Sequence, residues 1–135
     1  MTETNTAPGA DAGAPQLLFV EADIVVRSAM AAYLRECGYS VIEAASTDEA
    51  QAILLRSDLD IDIVVADVDT PGALDGFRLA RWIAEHRPGT HVALSATVQR
   101  AAKLAAELCR EGPNLTVPYD HAALLDYIKR LRIKR

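Results

Sequence analysis

Ile63-Val64-Val65-Ala66 is an unbroken apolar run that stops on Asp67, and Pro71-Gly72 and Asp75-Gly76 break the chain soon after it. A run this short, with no polar residue alternating through it, suits a strand buried on both faces. A sheet buried on both faces is a parallel one covered by helices. Leu17-Leu18-Phe19-Val20 repeats the pattern and stops on Glu21. Such strands constrain the fold more than composition does, because the segments between them must supply the covering helices. Ligands of open α/β sheets bind outside the carboxyl ends of the strands, so Asp67 is the candidate reactive residue and Glu21 its candidate neighbour.

The intervening segments have helical periodicity. Residues 24–37 place Val26, Met30, Tyr33, Leu34 and Cys37 on one face, and Gly38 stops that helix. Residues 39–44 read as a second strand. Ser46-Thr47-Asp48-Glu49 is a capping box for a helix carrying Ala50, Ile53 and Leu54. After the Pro-Gly loop, a helix over 76–86 is expected to turn Phe77, Ala80 and either Ile83 or Ala84 inward, and Pro88-Gly89 closes it. Residues 91–94 form a fourth strand ending at Ser95, and 97–111 an Ala-rich helix with Leu104 and Leu108 facing the core. Residues 114–117 make a weak fifth strand cut by Pro118, and Asp120 caps a last helix through Leu124, Leu125, Ile128 and Leu131. Strands and helices in alternation predict one α/β domain with a mostly parallel sheet, covered on both faces through right-handed crossovers. Residues 1–16 are mostly Thr, Ala, Gly and Pro and read as a flexible tail; 17–135 form the domain.

Composition enters as a set of exclusions. Half of the 135 residues are hydrophobic, which excludes a chain disordered throughout. No run has the length of a membrane span and the N-terminus lacks a signal-peptide pattern, so a cytoplasmic protein is expected. A net charge of −5 does not favour nucleic acid. The basic end at Lys129, Arg130, Arg132, Lys134 and Arg135 reads as a solvated helix terminus. Cys37 and Cys109 lie in separate helical patterns without metal-ligand spacing and are expected as two separate buried thiols. His86, His91 and His121 form no ligand cluster.

Taken in order, these residues resemble the response regulator receiver domain of two-component signalling, over nearly everything except the tail. Glu21-Ala22-Asp23 matches the acidic turn after the first strand, Arg27 the basic residue one turn into the first helix, and Ile63 to Asp67 the phosphoacceptor strand. Ser95 matches the switch hydroxyl, and Pro118-Tyr119 the Pro-aromatic pair after the fifth strand. The resemblance implies a flavodoxin-like, doubly wound five-stranded sheet of order 2-1-3-4-5. It further implies that Asp67 accepts a phosphoryl group from a histidine kinase. Glu21, Asp67 and the Asp69 carbonyl would hold Mg²⁺, and Ser95 would bond the phosphoryl oxygen. Its usual partners are a histidine kinase or another signalling protein, with a homodimer or partner face on the fourth helix, fifth strand and last helix. With no output domain in the sequence, a stand-alone signalling protein is expected, and any chemistry is self-phosphorylation and autodephosphorylation at Asp67.

Three positions depart from the family pattern. Ala22 stands where a second metal-binding carboxylate belongs, and Asp23, one position along, is a weak substitute. Val117 stands where a lysine precedes the proline, and Asn114 where an aromatic switch residue belongs. An atypical receiver with impaired phosphorylation, acting by protein–protein interaction, is therefore expected, with an intact phosphoaccepting regulator as the alternative. Asp67-Val68-Asp69-Thr70 also fits the D-x-D-x-T pattern of haloacid-dehalogenase-like phosphatases, a short and remote resemblance.

Overall fold

Residues 17–20 and 63–66 pair side by side, and the rest of the fold is arranged around that pairing. The computed structural model describes residues 14–111. Its elements are β1 (Gln16–Val20), α1 (Ile24–Glu36), β2 (Ser40–Ala44), α2 (Thr47–Leu54), β3 (Ile63–Asp67), α3 (Gly76–His86), β4 (His91–Ser95) and α4 (Val98–Glu111). The four strands form one parallel sheet in the order β2-β1-β3-β4. The fifth strand and last helix expected from the sequence lie outside the described residues, as do Asn114, Val117 and Pro118. β1 starts at Gln16, and the Pro15 carbonyl already accepts the Ser40 amide at 3.0 Å.

Alternate strand residues face two separate cores. Leu17, Phe19, Val41 and Val65 meet α1 and α4, whereas Leu18, Val20, Val64 and Ala66 meet the layer that includes Ala50, Leu54, Leu79 and Ile83 of α2 and α3. Burial on both faces explains the continuous apolar runs. A right-handed crossover leading outward from β4 would place the next helix on the α2 and α3 side. Instead α4 lies beside α1, pressing Ala101, Ala102, Ala105 and Cys109 into the first core. Of the two leucines expected to face the core, both are half-buried, and Leu108 packs against the first core beside the alanines. The alanines make the contact because they let the two helices approach closely.

Two further expectations are corrected. Phe77 is 64% exposed, and the inward residues of α3 are Leu79 and Ile83. Phe77 lies two residues before Leu79, which places it on the opposite side of α3 from the buried Leu79 and Ile83. Cys37 and Cys109 are not separate thiols: they form a disulfide with a Cα–Cα distance of 5.2 Å. Periodicity showed that each cysteine faces inward but not that their helices share one face. The helix starts, by contrast, follow the expected chemistry. Asp23, Ser46 and Asp75 are N-caps, and Glu49 reaches back to the Ala45 amide at 2.7 Å.

The revised phase of α3 has a measurable consequence. Ile83→Ala should cost about 2–5 kcal/mol in urea unfolding, as for other buried aliphatic truncations. Phe77→Ala should stay within about 0.5 kcal/mol of the parent chain, as at an unburied position. Equal losses would restore the inward Phe77.

Candidate functional site

Parallel pairing brings the carboxyl ends of β1, β3 and β4 to one edge, and with them Glu21, Asp67 and Ser95. The β1–β3 register ends at Val20↔Ala66, so Glu21 leaves the sheet beside Asp67. On the other side Asp67 is in register with Ser95, whose carbonyl accepts the Val68 amide at 2.8 Å. Ser95 is buried, 4% exposed, in a position set by the strand rather than by a loop. The sequence-derived acids and hydroxyl therefore do share one place.

Asp67 also organises the loop that follows it. Its Oδ1 accepts the Asp69 amide at 2.8 Å, and its carbonyl accepts both the Thr70 amide and the Thr70 hydroxyl, at 3.1 and 2.6 Å. These short-range bonds reverse the chain immediately after β3. Gly76 then brings the start of α3 back over the strand end, donating its amide to the Val68 carbonyl at 3.0 Å. A Cβ there would lie 2.4 Å from the Asp67 carbonyl oxygen, so only glycine fits without displacement.

Thr47 is the residue of this region that sequence reasoning missed. It was visible only as a member of a capping box, yet it is fully buried. Its amide and hydroxyl donate to the carbonyls of Pro71 and Leu74 at 2.9 and 2.8 Å, which fastens the loop after Asp67 to the start of α2. Gly72 makes this possible with φ +137°, and a Cβ there would strike the Thr47 hydroxyl. No local signal marks such a contact, because its partners are over twenty residues apart.

The acidic turn is occupied with structural bonds. One Glu21 oxygen accepts the Asp23 amide at 2.9 Å. Asp23 Oδ1 accepts from Val25 and Val26 at 2.9 and 3.3 Å and caps α1. Arg27 donates to the Glu21 carbonyl at 3.0 Å and to Glu43 at 3.1 Å, bracing the turn against β2. Ala22 is exposed and has no donor atom in its side chain. Among the described residues no group of three or more His, Cys, Asp or Glu side chains is placed to hold a metal ion. Glu21, Asp67 and the Asp69 carbonyl thus fall one carboxylate short of the set the receiver pattern uses for Mg²⁺, and the donors do not make a full fit. A depression of about 300 Å³ opens near the start of α4, but Thr97, Gln99, Arg100 and Lys103 line it, so it is not this acidic edge.

The sheet order, the acid at the end of β3 and the hydroxyl at the end of β4 point to one family, and the sequence profile of the response regulator receiver domain matches residues 17–129. The chain belongs to the response regulator receiver domain family. This receiver is 37% identical over 71 residues to the aerobic respiration control protein ArcA of Escherichia coli K12, a match covering 53% of this chain and 29% of ArcA. It is 31% identical over 71 residues to the two-component response regulator-like protein APRR9 of Arabidopsis thaliana, covering 53% of this chain and 15% of that one. The match thus spans less than a third of either relative. Among solved structures, a CheY-like receiver domain protein from Methanospirillum hungatei superposes with a TM-score of 0.58 at 19% identity, over 90% of this chain and 96% of that one. The chemotaxis regulator CheY4 of Vibrio cholerae superposes at 0.57 with 21% identity, over 87% and 98% of the two chains. These superpositions show the fold. Asp67 ends β3 rather than the first strand, so the phosphatase-like D-x-D-x-T resemblance extends no further than its own residues.

In this receiver the loop geometry predicts different costs at neighbouring positions. Gly76→Ala should lose about 1–3 kcal/mol, since the added methyl overpacks the Asp67 backbone. Asp67→Asn, which keeps an oxygen for the Asp69 amide, should unfold within about 1 kcal/mol of the parent. Both are read from urea midpoints, and an unperturbed Gly76→Ala would contradict the close approach.

Proposed function

We propose that this receiver acts in two-component signalling through contact with a histidine kinase or another signalling protein, with phosphoryl transfer to Asp67 weak or absent. The observation that supports the reading is the acidic turn. Ala22 contributes no ligand, Asp23 is committed to capping α1, and Glu21 is left as the one neighbouring carboxylate of the turn. For transfer, an Asp67 oxygen must attack phosphorus while the donor's leaving group departs with the electrons of the broken bond. Charge on the equatorial oxygens then has to be met by cations or hydrogen-bond donors. Ser95 offers one hydroxyl at the right edge. Arg27 is turned to Glu43 and the Glu21 carbonyl, and position 117, outside the described residues, is valine rather than lysine.

The convergence of Glu21, Asp67 and Ser95 favours a second reading, an intact phosphoaccepting switch. In either reading the chemistry is limited to self-phosphorylation and autodephosphorylation at Asp67. A cytoplasmic setting belongs to the proposal, as does a homodimer or partner face on the fourth helix, fifth strand and last helix. Only α4 of that face is described, and it presents Gln99, Arg100, Lys103, Glu107 and Arg110 outward.

Incubation with acetyl phosphate and Mg²⁺, followed by intact-mass measurement, separates the readings. The expected outcome is little or no added phosphoryl group, with Ala22→Asp plus Val117→Lys raising uptake more than either change alone. The two changes should be coupled because metal and ammonium bear on the same oxygens. Rapid, stable addition to the parent chain that Asp67→Asn abolishes would establish the intact switch instead.

A further inference from the structure

Cys37 caps the end of α1 and Cys109 lies in the last turn of α4, so their disulfide joins two helices 72 residues apart in sequence. Small secreted domains use such bonds to make up for a missing core. This domain has no such need, since its sheet is covered on both faces by packed side chains. The bond bears on one element in particular. α4 meets the first core through Ala101, Ala102 and Ala105, with Val98 and Leu108 packed against it, and the Tyr39 hydroxyl donates to the Leu108 carbonyl at 2.6 Å. At its other end α4 follows Ser95 directly, with Thr97 accepting the Arg100 amide at 3.0 Å. The helix is thus held by the sheet at its start and by the disulfide at its finish.

We propose that Cys37 and Cys109 are a thiol–disulfide switch pair that controls how firmly α4 is held against α1. The reductant is a thiol or dithiol, of the kind a reducing cytoplasm supplies. A thiolate of the dithiol attacks one Sγ, the Cys37–Cys109 bond breaks, and the other sulfur leaves as a thiolate. The second thiolate of the dithiol then attacks the mixed disulfide and releases the first sulfur, and the dithiol becomes a cyclic disulfide. Both protein sulfurs take up protons and remain as small apolar groups. Cys37 is 0% and Cys109 4% exposed, so the attacking thiolate reaches them only when α4 lifts from α1. Reduction therefore needs the motion that it afterwards makes easier. The inference uses the cytoplasmic reading only for the presence of reductant, and its test does not involve phosphoryl transfer.

The whole chain is compared in two states, equilibrated in glutathione disulfide or in dithiothreitol, by alkylation with intact mass and by amide hydrogen exchange. The oxidised chain should take no alkyl group in denaturant and the reduced chain should take two, one on each cysteine. Amides of α4 should exchange at least about tenfold faster in the reduced chain, while those of β1 and β3 keep their protection. A Cys37→Ala, Cys109→Ala double variant should exchange like the reduced chain in either buffer. Free thiols after glutathione disulfide treatment, or equal α4 protection in the two states, would overturn the proposal. So would a uniform acceleration across β1, β3 and α4, which would make the bond a general staple.

Discussion

The parallel pairing of β1 with β3 is the constraint from which the remainder follows. Parallel neighbours cannot be joined by a tight turn, so each connection has to pass over a face of the sheet, and the faces are thereby buried. Burial on both faces in turn requires strands with almost no polar residue, which Leu17 to Val20 and Val64 to Ala66 satisfy. Polar residues can then enter only where a strand ends. Since all strands point the same way, Glu21, Asp67 and Ser95 are delivered to one edge without any residue having been selected for proximity along the chain.

What the edge does with those residues depends on backbone groups that need partners. A strand end inside a packed domain leaves amides and carbonyls exposed to a partly apolar surrounding, and each unpaired one is costly. Asp67 meets this demand through Asp69 and Thr70, Glu21 through Asp23, and Asp23 through Val25 and Val26. The same carboxylates that could serve a cation are therefore also turn and cap residues. With Ala22 in the turn, the structural duty is still fulfilled while the ligand set is incomplete. The fold around Asp67 thus rests on cap and turn bonds that need no carboxylate at position 22.

The features legible in the sequence were those decided within a few residues. The strand runs, the capping box at Ser46 and the inward face of α1 each depend on local spacing, and the structure has them where the spacing put them. The misread features depend on what lies across the sheet. Phe77 satisfies a helical period, but the face of α3 that meets the sheet layer is the opposite one, and Leu79 and Ile83 take the core instead. Thr47 looked like one member of a capping box because its partners, the Pro71 and Leu74 carbonyls, come from the next crossover. At the site, the positions of Glu21, Asp67 and Ser95 were readable from strand ends, whereas the bonds that occupy Asp23 became visible only with coordinates.

The placement of α4 was the least legible feature and has the widest consequences. Apolar periodicity assigns an inward face to a helix but is silent on which layer it joins, and Ala-rich faces suit either layer. α4 joins α1, across the sheet from α2 and α3, and so leaves β4 on the side opposite to that taken by the α2 and α3 crossovers. Alanines permit this close approach while each buries little area, and Val98 and Leu108 pack against the same core. Cys109 adds a covalent bond to Cys37, and Tyr39 adds a hydrogen bond at the adjacent residue, Leu108. The covalent tie of α4 thus lies at its far end. Its near end continues from Ser95 through Ala96 and Thr97, so α4 runs from the edge where Asp67 lies to the bond with Cys37.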